Sequence, residues 1–453
     1  MGVFGVYGVK NASAIIYYGL HALQHRGQEG AGIVTFEGEQ GYRHRALGLV
    51  NEVFNPAILA SLKGDIGIGG VKYANKSKGG LDYVQPLYFH HNSGDFAVVN
   101  DGNLVNSKNI SDYLERQGSI FQTRTDSELL AHLIKKDANE ARIFNILDAL
   151  NMMEGGFAFL ILTKNRIYAA RDKYGIKPLA LGRLGDGYVV SSETCSFELI
   201  GATYLRDIEP GEVVTIDSHG IRSRKYSQYQ RHKMCAMEYI YLARPDSDID
   251  GCNVHAYRKE SGRRLYRECP AEADIVIGVP DSSLSAAMGY AEESGIPYEM
   301  GLIKSKYVGR TFIQPSQEMR ENGVKMKLSA VRSIVNGKRI VMVDDSIVRG
   351  TTSLKIVRLL RDAGASEVHV RIASPMMKHC CYYGVDTSTE EELLCSHRTL
   401  EEACAMIEAD SLGYLSPESS IASTFGCSEL CLACFTGHYP TSLYQGKIEN
   451  EVE

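Results

Sequence analysis

The chain has 453 residues, which is long for one hydrophobic core, so we expect two domains. Its net charge of -6 at pH 7 and its sequence pI of about 6.1 argue against a general nucleic-acid-binding surface. The N-terminus lacks the basic-then-apolar pattern of a secretory signal, and no run approaches the roughly 20 apolar residues that span a bilayer. We therefore predict a cytoplasmic protein with no membrane or nucleic-acid partner.

Apolar segments bounded by turn residues predict short strands through the first half of the chain. They lie at residues 3–7, 30–36, 65–73, 97–100, 157–162 and 166–171. Asp126 and Glu128 precede an apolar run with helical spacing, which places two acids near the positive end of a predicted helix. Together these segments predict two sheets covered by helices.

The pattern changes from about Cys235 to strand-then-helix units. Residues 274–279 and 339–343 are continuous apolar runs, as expected of strands buried on both faces of a parallel sheet. In open parallel sheets, ligands bind beyond the carboxyl ends of the strands. The loops that follow these two strands are therefore the predicted ligand-binding loops.

The loop after the second strand carries the strongest chemical signal in the chain. Asp344 and Asp345 end the strand, and Ser346, Gly350 and two threonines lead into a helix. Carboxylates suit sugar hydroxyl groups or Mg²⁺, and the free amides at a helix start bind phosphate. The loop thus predicts a site for a phosphorylated sugar with Mg²⁺. The alternative, in which Asp-Asp-Ser only caps the helix, does not explain the whole string.

The string at residues 343–353 resembles the binding signature of type I phosphoribosyltransferases. Residues 280–283 (PDSS), 306–315 (KYVGRTFIQP) and 324–328 (VKMKL) narrow the resemblance to the glutamine phosphoribosylpyrophosphate amidotransferase family, over nearly the whole chain. The resemblance implies an α/β protein with an α+β N-terminal half. A four-layer αββα Ntn-hydrolase-like domain at residues 1–230 would precede a type I phosphoribosyltransferase domain at residues 231–453, with a mainly parallel sheet and a cysteine-bearing tail.

The resemblance also implies the ligands of the transferase site. Phosphoribosyl pyrophosphate (PRPP) would contact Asp344, Asp345, Ser346, Ile347, Val348, Arg349, Gly350, Thr351, Thr352, Lys306 and Arg310. Mg²⁺ would be held by Ser282, Asp344 and Asp345. Residues from about 307 to 327 would form a loop that closes over the substrate.

Eleven cysteines without a secretory signal indicate reduced thiols, metal ligation or redox chemistry. Cys431 and Cys434 form a C-x-x-C motif, and the sequences around Cys235 and Cys381 resemble those of bacterial family members that carry a [4Fe-4S] cluster. The resemblance implies that these four thiolates hold such a cluster, with a structural role. Four buried reduced thiols, or zinc bound by the same four residues, are the alternatives. Cys380 and Cys427 could compete as ligands.

The N-terminal domain lacks the residues that glutamine hydrolysis needs. Met1 stands where the family has the catalytic cysteine, and trimming of an initiator Met before Gly2 would leave Gly2 first. At the oxyanion position Asp101 replaces an asparagine. An ionised carboxylate about 3 Å from the oxyanion would oppose it by roughly 5 kcal/mol at an effective dielectric near 20.

The clamp for the glutamine carboxylate is altered as well. The family's His-Val-Arg-Tyr-x-Thr is Gly70-Val71-Lys72-Tyr73-Ala74-Asn75 here, so Lys72 keeps the charge of arginine but loses its planar two-donor fork. Asp126, Gly102 and Arg26 are retained. We therefore predict that glutaminase activity is lost while the transferase site remains whole.

The leading function is transfer of ammonia to PRPP, giving 5-phosphoribosylamine and pyrophosphate in the first step of purine synthesis. The ammonia would be free or supplied by a partner. A non-catalytic regulatory paralogue that binds nucleotides or an active amidotransferase is one alternative. A transferase with another amine acceptor, with Asp101 holding a cation, is a second. The family further implies purine nucleotide inhibitors and a homotetramer or dimer.

Overall fold

The computed structural model describes residues 1–73, 80–92, 94–134, 142–227, 232–305, 328–387, 389–427 and 429–443. The predicted elements of both halves are found within these ranges. Within this part of the chain, every helix is too short or too polar to cross a membrane.

Two antiparallel sheets make up the first half of the chain. The seven-stranded sheet has the strand order Thr203–Asp207, Ala180–Leu184, Gly187–Ser191, Gly2–Tyr7, Ile66–Lys72, Gly30–Glu37 and Gln40–Leu47. The six-stranded sheet has the order Gly220–Lys225, Glu212–Asp217, Arg166–Arg171, Gly155–Thr163, Phe96–Leu104 and Leu87–Phe89. All six predicted strands are present. Five lie within two residues of their predicted ends, whereas the strand predicted at residues 97–100 spans Phe96–Leu104 and continues four residues further than expected.

The two sheets pack face to face, because apolar side chains from both fill one buried core. That core includes Val3 and Ile68 from one sheet and Val99 and Leu160 from the other. The α-helices of this half are Ala12–Ala22, Val50–Val53, Pro56–Ser61, Ser107–Arg116, Asp126–Ile134, Arg142–Met152 and Cys195–Ile200, and the 3₁₀ helices are Gln24–Arg26 and Leu81–Tyr83.

Helices cover the outer face of each sheet. Ala12–Ala22 buries Ile16 and Leu20 against the seven-stranded sheet. Ser107–Arg116, Asp126–Ile134 and Arg142–Met152 pack against the six-stranded sheet. The half is therefore a four-layer αββα structure, as predicted.

A four-stranded parallel sheet organises the second half. Its strand order is Ile275–Gly278, Arg339–Asp344, Glu367–Ile372 and Ser411–Tyr414. The helices are Val254–Glu268, Leu284–Ser294, Arg332–Val335, Thr351–Asp362, Leu400–Met406, Pro417–Ala422 and Ala433–Thr436, with the 3₁₀ helix Glu390–Glu392. The three remaining pairs of short strands are Met234–Cys235 with Leu430–Cys431, Asp248–Ile249 with Cys252–Asn253, and Leu302–Lys304 with Leu328–Ala330.

Both faces of the parallel sheet are buried, which explains its continuous apolar strands. Leu284–Ser294 packs on one face together with Val276 and Val341, and Thr351–Asp362 packs on the other with Ile340 and Met342. The carboxyl ends of the strands Ile275–Gly278 and Arg339–Asp344 lie side by side in register. The loops that follow them therefore meet at one edge.

The two halves are joined by buried polar contacts. The Arg171 side chain is fully buried and its two Nη atoms donate to the Asp250 carboxylate at 2.8 and 2.7 Å. A π-helix at Glu238–Leu242 follows the strand Met234–Cys235 and carries Glu238, which faces the first half. The first residues of the second half thus complete the interior of the first.

Candidate functional site

The predicted magnesium ligands lie together at the end of the parallel sheet. Ser282 donates a short hydrogen bond to Asp345, and the neighbouring Ser283 donates to Asp344 Oδ1 at 3.0 Å. Ser346 donates to the other oxygen of Asp345 at 2.6 Å. The loop after the first strand therefore positions the carboxylates that end the second.

The two carboxylates are buried and repel each other. Burial, and then repulsion by Asp345, raise the pKa of Asp344 to about 7, and burial also raises the pKa of Asp345. A divalent cation relieves this repulsion, and Mg²⁺ is commonly held by one or two carboxylates together with substrate oxygens. Among the described residues, no three His, Cys, Asp or Glu side chains converge on one metal position. The pair therefore fits a Mg²⁺ that substrate helps to hold.

The segment Ser346 to Gly350 connects this carboxylate pair to the helix Thr351–Asp362. Gly350 has φ 77°, a conformation that favours glycine, and Leu394 N–H donates to Val348 O at 2.7 Å. Ile347 is buried, whereas Arg349 pairs at the surface with Glu392. The free amides of the helix start face the same edge as the carboxylates.

Two predicted phosphate contacts cannot be placed. Lys306 and Arg310 lie outside the described residues, as does the predicted closing loop at residues 307–327.

Asp101 lies in a buried network of ion pairs in the N-terminal half. Its Oδ2 accepts from Arg26 Nη2 at 2.8 Å, and its Oδ1 lies 3.7 Å from Lys177 Nζ and 3.3 Å from the α-amino group of Met1. The Arg26 and Lys177 side chains are 2% and 3% exposed, so solvent does not screen these pairs. The carboxylate at the oxyanion position is therefore already neutralised by protein cations.

Two glutamates complete this network. Arg26 Nη1 donates to Glu193 Oε1 at 2.7 Å and to Glu238 Oε2 at 2.8 Å, and Lys177 Nζ lies 3.3 Å from Glu238 Oε1. His25 also contacts Glu193, at 2.7 Å. We call Arg26, Lys177, Asp101, Glu193 and Glu238 the Arg26 network. It links the first half to the π-helix of the second.

The network keeps Asp101 and Glu193 ionised. Burial alone would raise the pKa of Asp101, but Lys177, the Met1 α-amino group and Arg26 hold it well below its usual range. His25 and Arg26 lower the pKa of Glu193 against the same penalty. Asp101 and Glu238 raise the pKa of Lys177 in turn. A buried charge is tolerated here because each is paired.

The residues at the predicted carboxylate clamp contact other parts of the fold. Lys72 is buried with its Nζ 4.7 Å from the centroid of the Tyr83 ring, a cation–π contact. At Gly70 a Cβ atom would lie 2.7 Å from Val99 Cγ2, so Val99 fills the space that a side chain at position 70 would need. Asp126 begins a helix and accepts from Leu104 N–H at 3.0 Å. Ala74 and Asn75 lie outside the described residues.

The four predicted cluster cysteines lie near one another at the junction of the halves. Cys235 pairs with Cys431 across the parallel strands, and the amides of Lys378 and His379 donate to Cys434 O at 3.0 Å. Burial, and then mutual repulsion of Cys381, Cys235 and Cys431, raise the pKa of the Cys434 thiol far above its usual value. The structure thus brings the four cysteines into one region, in which Cys381 is partly buried and the other three are buried.

The two cysteines that could compete as ligands have other partners. The Cys380 thiol interacts with Thr387, and burial and then Glu390 raise its pKa. The Cys427 thiol donates to Gly251 O at 3.6 Å.

Three members of the Arg26 network were not found by sequence reasoning. Lys177, Glu193 and Glu238 are far from Asp101 in the chain, and no spacing rule connects them. The only signal was the motif around Cys235, which includes Glu238 but was assigned to the cysteines.

Comparison with known proteins agrees with both halves of this description. The Glutamine amidotransferase domain family matches residues 80–198, and the Phosphoribosyl transferase domain family matches residues 261–394. The amidophosphoribosyltransferase of Bacillus subtilis is 54% identical over 454 residues, covering 99% of this chain and 95% of that protein. The chain belongs to the amidophosphoribosyltransferase family. That of Staphylococcus aureus is 48% identical over 450 residues, covering 98% of this chain and 91% of that protein.

Solved structures of this family have the same fold. The PRPP amidotransferase of Bacillus subtilis complexed with ADP and GMP matches with a TM-score of 0.94, at 54% identity, over 98% of both chains. A second structure, described as the allosteric regulatory enzyme of purine biosynthesis, matches with a TM-score of 0.95 at 54% identity over 99% of this chain and 98% of its own. The chain is accordingly a glycosyltransferase-type enzyme of this family, with the predicted pair of domain folds.

We expect Asp101→Asn to lower the free energy of unfolding by about 3 kcal/mol, because it leaves Arg26 and Lys177 short of one buried anion. The lowered pKa values of Asp101 and Glu193 mean that their stabilisation is complete above about pH 5 and is lost as the pH falls toward the folded-state values. The unfolding temperature of Asp101→Asn should therefore fall less steeply on acidification than that of the wild type. Thermal unfolding followed by circular dichroism from neutral pH downward measures both effects.

Asp246→Asn is the matched control, since Asp246 pairs with Arg244 at 2.6 Å but is half exposed. An equal loss of stability in this control, or parallel pH curves for Asp101→Asn and wild type, would contradict the assigned role of Asp101.

Proposed function

We propose that this chain transfers ammonia to PRPP and does not hydrolyse glutamine. The observation that carries the proposal is the contrast between its two sites. Asp344, Asp345 and Ser282 lie together where a cation and the ribose would bind, whereas Asp101 at the predicted oxyanion position is bound into the Arg26 network. We place the boundary between the two corresponding domains at residues 230 and 231, and the protein in the cytoplasm.

In the transfer reaction, the bond between C1 of the ribose and the pyrophosphate oxygen breaks, and ammonia nitrogen bonds to C1 from the opposite face. The nitrogen then loses a proton to solvent, giving 5-phosphoribosylamine and pyrophosphate. Mg²⁺, when bound, supplies positive charge near the departing pyrophosphate. Asp344 and Asp345 hold the cation and orient the ribose hydroxyls, and the loop from Ser346 to Thr352 binds the 5-phosphate.

Glutamine hydrolysis would need three functions that the N-terminal half no longer offers. A nucleophile is missing at Met1, and a hydrogen-bond donor is replaced by the ionised Asp101. The Lys72 ammonium faces the Tyr83 ring, and Val99 fills the space beside Gly70. Each altered position thus has its own partner within the fold, which supports a remodelled interior in place of a glutamine pocket.

The negative charge of Asp101 is also not available to bind the cation of an exogenous amine. Both of its oxygens already face protein cations, Arg26 and Lys177, inside the fold. We therefore favour ammonia, free or supplied by a partner, over an amine acceptor held at Asp101. Purine nucleotide inhibition and a homo-oligomer follow from family membership.

Pyrophosphate release, measured with PRPP and Mg²⁺ and with glutamine, an ammonium salt or no amine, tests this function. We expect release with ammonium and none above background with glutamine. Glutamine-dependent release would contradict the loss of glutaminase activity. Absence of turnover with ammonium would contradict the transferase and favour a regulatory paralogue.

Asp345→Asn should reduce the ammonium-dependent rate by about a hundredfold or more, since a charged ligand of the transition-state site is removed. Asp362→Asn, in the last turn of the helix that follows the loop, is the matched control and should keep the wild-type rate.

We further propose that Cys235, Cys381, Cys431 and Cys434 hold a [4Fe-4S] cluster with a structural role. Their closeness at the junction of the two halves and the mutual repulsion of their thiolate charges support it. Each thiolate of such a cluster ligates its own iron, so the four residues need not converge on one metal position. The cluster would fix the C-terminal tail to the junction of the two halves.

Iron and sulfide analysis after anaerobic purification tests this assignment. We expect about four irons per chain in the wild type and in Cys404→Ser, and strong loss of iron in Cys434→Ser. Cys404 is a suitable control because its thiol donates to Ala409 O, at 3.3 Å, in a different part of the domain. Stoichiometric zinc, or unchanged iron in Cys434→Ser, would contradict the cluster.

A further inference from the structure

A second pair of cysteines lies outside the proposed cluster. Cys252 is in the short strand Cys252–Asn253 and is 2% exposed, whereas Cys427 is exposed on the segment that leads to Cys431. The Cys427 thiol lies 3.6 Å from the carbonyl oxygen of Gly251, the residue before Cys252. The Cys252 thiol itself lies 3.8 Å from the carbonyl oxygen of Asn253, and the charge of Cys427 acts on it. Two cysteines far apart in the sequence are thereby brought close together at this hairpin.

The two thiols differ in the way that a redox pair requires. Cys427 is open to solvent and therefore to an oxidant, while Cys252 is shielded. Burial, and then the charge of Cys427, raise the pKa of Cys252 to about 12, so Cys252 is a poor first target. When Cys427 has been modified and no longer carries a thiolate, that opposing charge is gone. Cys252 is then positioned to attack the Cys427 sulfur.

We propose that Cys252 and Cys427 form a reversible disulfide by exchange with a low-molecular-weight disulfide. The Cys427 thiolate first attacks the small disulfide, forming a mixed disulfide and releasing one small thiol. Cys252, on losing its proton to solvent, then attacks the Cys427 sulfur, and the second small thiol leaves. Two protein thiols are oxidised and one small disulfide is reduced to two thiols.

The link ties the C-terminal tail to the hairpin of the domain junction. Cys427 precedes Cys431 and Cys434, and the hairpin contains Asp250, which pairs with the buried Arg171. A covalent bond here would hold the segment before the C-x-x-C motif to the body of the protein, whatever occupies the four cluster cysteines. The oxidised protein should therefore resist thermal unfolding better than the reduced one.

Oxidised glutathione is the probe, applied under anaerobic conditions to the full chain as purified. Free thiols are then blocked with N-ethylmaleimide, and the peptides are mapped by mass spectrometry. We expect a peptide joining Cys252 to Cys427 that disappears after dithiothreitol. Cys252→Ser should instead accumulate glutathione on Cys427, because the attacking thiol is missing. Cys404→Ser is the matched control and should form the same link as the wild type.

Three results would contradict the proposed disulfide between Cys252 and Cys427. These are glutathione that persists on Cys427 of the wild type, a bond from Cys427 to Cys431, and an unmodified Cys427. The unfolding temperature gives a second readout: oxidation should raise it in the wild type and leave it unchanged in Cys427→Ser. If the disulfide forms in the wild type but the unfolding temperature does not change, the stabilising role of the link between the tail and the hairpin is contradicted.

Discussion

The ion pairs around Arg26 are the constraint on which the N-terminal half depends. Arg26 contacts Asp101, Glu193 and Glu238, and these acids come from three distant parts of the chain. A buried carboxylate at position 101 is compatible with folding only because Arg26 and Lys177 face it. With that network formed, the ionised Asp101 would oppose an oxyanion at the predicted position. The proposed loss of glutamine hydrolysis would therefore have the same physical cause as the stability of the fold.

The transferase half shows the opposite arrangement. Asp344 and Asp345 are buried, and their side chains accept hydrogen bonds from serines and a backbone amide. No protein cation from the described part of the chain is in direct contact with them. Burial without a cation in direct contact raises the pKa values of both carboxyl groups. Uncompensated acids at the end of a parallel strand form a site that a divalent cation and a phosphorylated sugar would complete. The negative charges of Asp344 and Asp345 are available to a bound ligand, whereas the negative charge of Asp101 is compensated by cations of the protein itself.

Much of this structure could be predicted from sequence because the signals are local. Alternating and continuous apolar runs predicted the strands Gly2–Tyr7 and Arg339–Asp344. The Asp-Asp-Ser sequence predicted a ligand site in the loop that contains it. The partners of Asp101 could not be predicted, since Lys177 and Glu238 approach it only through the tertiary fold. No sequence pattern connects Val99 to Gly70 either. Sequence reasoning identified Asp101, Lys72 and Gly70, and the structure gives the neighbour of each, which is Arg26, the Tyr83 ring and Val99 in turn.

The most direct test of the account is glutamate release from glutamine by Met1→Cys, with N-terminal sequencing to show that the cysteine is exposed as the first residue. Because the Arg26 network still occupies the oxyanion position and Val99 still fills the space beside Gly70, we predict no more glutamate than the wild type releases. Substantial glutamate from this single substitution would contradict the account, since it would show that the nucleophile alone was missing.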